Sequence, residues 1–238
     1  MMNVVLLLAG GVGSRMGLNV PKQYYEVAGR PLIAYCLDGM AESRSVDSIQ
    51  IVANEEWKSL IISLLEAAGL HAKLKGFSMP GDNRQLSIYN GLRDIRKYAD
   101  DNSMVMVHDA ARPYLTADMI DSCFAAADGK DGVLPCLPMK DTIYHSKDGK
   151  TVTGLLNRSE LFAGQAPEIY RLDKYLAANE SLLPDKIMQI NGAAEPAIMA
   201  GMDIAMVPGE EQNFKITTMA DLERFEKCYE GMGSGCNK

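Results

Sequence analysis

The 238-residue chain has no C-x-x-C pair among its five cysteines, and its three histidines, His71, His108 and His145, stand far apart. Zinc-ligand and redox spacings are thereby excluded, and Cys36, Cys123, Cys136, Cys228 and Cys236 read as incidental thiols. No apolar run approaches the length of a membrane span, and Met1-Met2-Asn3 carries no signal-peptide pattern, so a cytoplasmic protein without a membrane partner is expected. Positive charge is scarce as well. With 24 Lys+Arg against 31 Asp+Glu the net charge is −7, which leaves no broad basic face for nucleic acid. Any anionic ligand must therefore be held by a local cluster. The 47% apolar content is that of a globular chain, and one domain is expected over residues 1–230, followed by a Gly/Ser-rich disordered tail at 231–238.

What the chain does have stands at its start. Asn3 to Leu8 is an apolar run suited to a buried parallel strand, and it leads into Leu8-Ala9-Gly10-Gly11-Val12-Gly13-Ser14-Arg15-Met16-Gly17, closed by Pro21-Lys22-Gln23. A loop leaving the carboxyl end of a strand is where open α/β sheets place ligands. Gly10, Gly11 and Gly13 let the backbone curl around an oxygen-rich group, and Arg15 and Lys22 add two fixed positive charges. The ligand implied is a polyphosphate. A glycine-rich turn is by itself also the form of a plain βα connection. Two common phosphate motifs fail on spacing: the dinucleotide fingerprint needs a small residue where Met16 stands, and the P-loop needs Lys-Ser/Thr where Leu18-Asn19 stand.

Further along, helices are expected over Leu32 to Ala41, Asn54 to Ala68, Leu86 to Tyr98, Ala117 to Ala127, Leu172 to Asn179, within Ile190 to Ala200, and over Met219 to Tyr229. Strands are expected at Ser48–Ala53, His71–Lys75, Ser103–Val107, Val133–Leu137 and Asp203–Val207. Alternation of this kind implies an α/β fold with a Rossmann-like, mostly parallel sheet and helices on both faces. Residues 140–155 break the alternation and read as a β-hairpin around Asp148-Gly149.

Two other loops carry chemistry. Gly81-Asp82-Asn83-Arg84 precedes a helix whose first turn includes Ser87, a place where backbone donors and the helix dipole favour an anion or a carbonyl, although such a run also serves as an ordinary turn and cap. His108-Asp109-Ala110-Ala111-Arg112-Pro113 ends a buried strand. Asp109 there could hold a divalent cation against phosphates and Arg112 could clamp a second phosphate, or the two could merely brace the turn.

The signature L-A-G-G-x-G-S-R-M-G with P-K-Q, then G-D-x-R-x-x-S, V-H-D-A-A-R-P and N-x-K-[VI]-T at Asn213 to Thr217, resembles the polyol-phosphate cytidylyltransferases, the family of 2-C-methyl-D-erythritol 4-phosphate cytidylyltransferase and ribitol-5-phosphate cytidylyltransferase. The likeness runs from Val4 to Phe225, with four signatures in order. It implies transfer of CMP from CTP to a polyol phosphate with Mg²⁺ as cofactor. By the resemblance, Arg15, Lys22 and Lys215 are catalytic. Ala9, Gly10, Gly11, Gly13, Ser14, Gly81, Asp82, Arg84 and Ser87 hold the nucleotide. Asp109, Ala110, Arg112, Thr142 and Arg158 face the acceptor, with Asp109 also on the metal. The hairpin at 139–160 becomes a homodimerisation arm that carries Arg158 to the other subunit.

Two stretches depart from the pattern. Ala166-Pro167-Glu168 stands where the methylerythritol enzymes carry T-P-Q, and Asn191-Gly192-Ala193-Ala194-Glu195 where they carry T-D-E-A-S. Only Thr142 of the hydroxyls that resemblance assigns to the acceptor remains, and a lost hydroxyl removes about 0.5–1.5 kcal/mol of hydrogen bonding. The first loop and the arm look closer to the ribitol-phosphate branch, but the T-P-Q change departs from that branch as well, so the expected acceptor tilts only slightly toward a ribitol-like alditol phosphate. A CTP-binding sensor without turnover is the alternative, and the retained Arg15, Lys22, Asp109 and Lys215 count against it. An NAD-dependent oxidoreductase would need an acidic residue after the second strand, where Ala53-Asn54 stand.

Overall fold

The computed structural model describes residues 1–11, 17 and 19–233. At its centre lies β1 (Asn3–Leu8), whose near-continuous Val/Leu run is buried on both faces, as a parallel strand between helical layers requires. It pairs in parallel with β2 (Ser48–Val52) on one side and β4 (Met104–Asp109) on the other. β3 (Leu74–Ser78) continues the parallel set beyond β2. Leu8 lies opposite both Val52 and Asp109, and Ser78 lies opposite Val52, so four strands end level at one edge.

The remaining strands are β5 (Gly132–Pro138), β6 (Phe162–Gly164), β7 (Glu168–Arg171) and β8 (Ile204–Pro208). The order across the sheet is β6-β5-β7-β4-β1-β2-β3, with β8 on β5. β7 runs antiparallel between β4 and β5, and β6 is antiparallel to β5, so the sheet is mixed but mostly parallel. Neither β6 nor β7 was expected. Both are very short, and in Glu168-Ile169-Tyr170-Arg171 two charged ends leave no alternation to read.

Helices cover both faces. Val5, Leu7, Ile49, Ile51 and Met106 pack with α1 (Leu32–Glu42), α2 (Lys58–Ala67) and α4 (Ala117–Ala126). Val4, Leu6, Val105 and Val107 face the other way onto α3 (Arg84–Ile95), α5 (Leu172–Glu180) and α6 (Ala194–Met199). Strand alternation thus divides the sheet into two apolar layers. A third cluster seats α7 (Met219–Gly233) through Leu222 and Phe225 on Leu32 and Tyr35.

Several expected boundaries shift. His71–Lys73 is a 3₁₀ turn, and β3 begins only at Leu74, opposite Ile49. Asn54 makes no side-chain cap, and the helix after it opens as a 3₁₀ turn at Glu55–Trp57. α3 starts two residues early because the Asn83 side chain accepts the Leu86 N–H at 2.7 Å. α7 extends to Gly233, which corrects the tail expected from 231; residues 234–238 lie outside those described. The hairpin is present. Tyr144–His145 pairs antiparallel with Gly154–Leu155, and Asp148 Oδ1 accepts the N–H groups of Lys150 and Thr151 to close the turn. Nearly every residue from 140 to 160 is exposed.

Candidate active site

A cleft of about 610 Å³ opens at the level strand ends. The first loop contributes Gly10, Gly11, Lys22 and Gln23, and the second contributes Pro80 to Arg84 together with Ser87. Asp109 and Ala111 line it from the end of β4, and Lys215 and Thr217 from the segment before α7.

The first loop is tied down by the 3₁₀ turn at Lys22–Tyr24. Gln23 Nε2 donates to the carbonyls of Ala9 and Gly11, both at 2.7 Å, and the Tyr24 hydroxyl donates to Ala9 O at 2.9 Å. Tyr24 is itself held by stacking on Trp57 at 4.1 Å. Gly10 presses on the second loop: a Cβ there would lie 2.5 Å from the Pro80 ring, so only glycine lets the two loops meet. Within the second loop the Ser87 hydroxyl accepts from Gly81 N and donates to Asn83 O, both at 2.9 Å, which folds the loop over the N-terminus of α3.

Asp109 organises the charges. Arg84 Nε is 3.0 Å from its Oδ1, Lys215 Nζ is 3.0 Å from its Oδ2, and Arg112 Nε stands 3.9 Å from Oδ2. Burial by itself would raise this carboxyl, but the Arg84 guanidinium and the Lys215 ammonium outweigh it and hold it well below the usual carboxylate range. Arg84 also faces Glu168 Oε1 at 3.7 Å, whose other oxygen accepts the Tyr170 hydroxyl at 2.6 Å. Burial pushes Glu168 upward despite Arg84. His108 is fully buried, and desolvation lowers it to about 4. It is therefore neutral at physiological pH, and its Nε2–H donates to Arg112 O at 3.2 Å. Lys22 Nζ donates to Ile216 O at 2.7 Å, next to Lys215 in the chain.

Gly10, Gly11, Lys22, Gly81, Asp82, Arg84, Ser87, Asp109 and Lys215 are thus brought to one cleft. Gly13, Ser14 and Arg15 lie outside the described residues. Ala9 is buried, with its N–H on Val52 O and its carbonyl held from behind. Ala110 is buried in the core with its N–H on Leu8 O, and Ala111 lines the cleft instead. Arg112 is largely buried beside the cleft, its Nη1 on Asn213 O at 2.7 Å. Thr142 and Arg158 belong to the exposed arm, where Arg158 Nη1 donates to Lys140 O at 2.7 Å. Ala166 is buried, its carbonyl accepts Asn213 Nδ2, and it is not one of the residues that line the cleft. Sequence reasoning missed the supporting roles of Gln23, Asn83 and Glu168. Gln23 stood in the quoted P-K-Q, and Asn83 in a recognisable N-cap position.

The carboxylates lining the cleft are Asp82 and Asp109, and no group of three His, Cys, Asp or Glu side chains suited to a metal occurs among the described residues. That donor set fits Mg²⁺, which is commonly held by one or two carboxylates with substrate phosphates and water completing its shell. Asp109 would have to share an oxygen now engaged by Arg84 or Lys215.

The family model described as IspD: 2-C-methyl-D-erythritol 4-phosphate cytidylyltransferase matches residues 3–230. A 2-C-methyl-D-erythritol 4-phosphate cytidylyltransferase of Rubrobacter xylanophilus is 36% identical over 92% of the chain and 91% of its own length. A ribitol-5-phosphate cytidylyltransferase of Streptococcus agalactiae is 27% identical over 97% and 96%. A bifunctional IspD/IspF enzyme of Paramagnetospirillum magneticum is 32% identical over 97% of the chain, which spans only 57% of that longer protein. Among solved structures, the 4-diphosphocytidyl-2C-methyl-D-erythritol synthase of Anaerococcus prevotii superposes with a TM-score of 0.81 at 24% identity, covering 97% of this chain and 96% of that one.

Proposed function

Because the chain belongs to the 2-C-methyl-D-erythritol 4-phosphate cytidylyltransferase family, we propose that its cleft transfers CMP from CTP to the phosphate of a polyol phosphate and releases pyrophosphate. The observation that carries this reading is the meeting of Lys22, Arg84, Asp109 and Lys215 on one cleft between two glycine-bearing loops.

An acceptor phosphate oxygen attacks the α-phosphorus of CTP in line. A new P–O bond forms, the bond to the β-phosphate oxygen breaks, and its electron pair leaves with pyrophosphate. The nucleophile is already ionised at neutral pH, so no general base is needed. Catalysis is then positioning and charge stabilisation. Lys22 neutralises the phosphate chain, and Arg15 is assigned the same work. Lys215 steadies the α-phosphate or the acceptor phosphate. The Gly81–Ser87 loop and Arg84 hold the nucleotide, and Asp109 keeps Arg84 and Lys215 correctly spaced. Mg²⁺, held by Asp109 with Asp82 nearby, would add charge neutralisation on the phosphates.

The acceptor is methylerythritol 4-phosphate or ribitol 5-phosphate, as in the two sets of relatives. The arm displays Tyr144, Val152, Leu155 and Leu156, with Phe162 beside it, an apolar set that supports pairing with a second copy. Arg158 would then reach the active site of the other subunit. Among the described residues no helix is long and apolar enough to cross a membrane, and free Cys36, Cys123 and Cys136 support a reducing, cytoplasmic setting. Pyrophosphate release measured with CTP, Mg²⁺ and each acceptor in turn tests the reading. We expect turnover with at least one, and the ratio of kcat/KM names the substrate. Absence of release with both would refute the reaction.

A further inference from the structure

Arg112 has a carboxylate and a cleft close by, yet the hydrogen bond its guanidinium makes goes to neither, and its buried Nε has no hydrogen-bond partner among the described residues. Its side chain is 13% exposed and does not line the cleft, and its Nη1 donates to Asn213 O at 2.7 Å. Asn213 begins the strap that carries Lys215. That strap is fixed at further points: Asn213 Nδ2 donates to Ala166 O at 2.7 Å, and Ile216 N donates to Ala111 O at 2.9 Å. Arg112 is fixed in turn, its N–H on Asp109 O at 2.9 Å and its carbonyl under the His108 ring. Its orientation is therefore set by the strand end that bears Asp109.

We propose that Arg112 is a positioning residue that acts through Lys215, holding the carbonyl two residues upstream of it, and does not bind the acceptor phosphate. The inference rests on the reaction proposed above, and it departs from the acceptor-binding role that resemblance implied for Arg112.

Hydrogen exchange of the ligand-free protein tests it without requiring turnover. In Arg112→Met the amides of Phe214 to Thr217 should exchange about 10-fold faster, while those of Met104 to Val107 in β4 keep wild-type protection. Kinetically, kcat should fall about 10-fold or more with the acceptor KM within about twofold of wild type. In a Lys215→Met background the same substitution should change kcat by less than about twofold, because both act through one group. Unchanged exchange in the strap would overturn the proposal. So would a rise of about 10-fold in acceptor KM at intact kcat, or an undiminished effect in the Lys215→Met background. Should Arg112→Met fail to fold, Arg112→Lys retains the charge but not the reach to Asn213 O, and the same outcomes decide. A wild-type protein that released no pyrophosphate would count against the reaction alone, and the exchange measurement would still decide the role of Arg112.

Discussion

Replacing Asp109 by Asn keeps the shape of the side chain and removes the charge that Arg84 and Lys215 share at 3.0 Å each. Arg112 at 3.9 Å loses its counter-charge as well, and Glu168, 3.7 Å from Arg84, is the acid left beside the cations. Breaking a buried ion pair by removing one partner costs about 3–5 kcal/mol. Arg84 and Lys215 are 31% and 33% exposed, so water screens part of the repulsion and the lower end, about 3 kcal/mol, applies. In a chain of this size that lowers Tm by about 6–12 °C. The pH dependence has a definite sign. The folded carboxyl titrates below its unfolded value, so its stabilisation is complete above the ordinary carboxylate range of about 4 and is lost progressively as the pH falls from there to the depressed value. The difference between variant and wild type should hold through neutral pH and close in acid. Pyrophosphate supplies the missing negative charge and should raise the Tm of the variant more than that of wild type. Thermal unfolding by circular dichroism, with and without pyrophosphate, reads all three effects. A ligand-free variant melting within about 2 °C of wild type at pH 7 would refute the account of Asp109 as the anion that holds these cations together.

Lys22→Ala should lower kcat at least about 100-fold, as loss of one oxyanion donor does, and turnover within threefold of wild type would remove Lys22 from the mechanism. Gly39→Ala places a Cβ 2.1 Å from Leu115 O, and the forced shift of α1 should cost about 1–3 kcal/mol, read as a lower midpoint in urea; an unchanged midpoint would mean the loop before α4 yields freely. Val152→Glu with Leu155→Glu puts charge on the exposed apolar face of the arm, and light scattering should then report a monomer; a dimer of unchanged mass would exclude this face from the interface.

Long elements were legible because their residues report their own surroundings. The Val/Leu run of β1 and the i, i+3, i+4 spacing of Trp57, Leu60, Ile61 and Leu64 need nothing beyond local pattern. Strands β6 and β7 were not, because a three- or four-residue strand exists only through its neighbours, and Gly76-Phe77-Ser78, beyond the strand end expected at Lys75, are extended through their pairing with β2. The site divides along the same line. Its glycine loops and lysines carry their chemistry in sequence, whereas Asp109 meets Arg84 from 25 residues away and Lys215 from 106, distances that no spacing rule encodes. Arg112 was the hard case: next to Asp109 in a conspicuous motif it suggested phosphate, and only the folded strap revealed a nearer acceptor in Asn213 O.

The tether from Gln23 and Tyr24 has an effect on the polarity of the loop in front of it. Three hydrogen bonds reach the loop's carbonyl oxygens, two at Ala9 O and one at Gly11 O, so both lone pairs of the Ala9 carbonyl are engaged by neutral donors of the protein. For the triphosphate proposed to bind at this mouth, those two neutral side chains would lessen the repulsion from Ala9 O without adding any charge of their own.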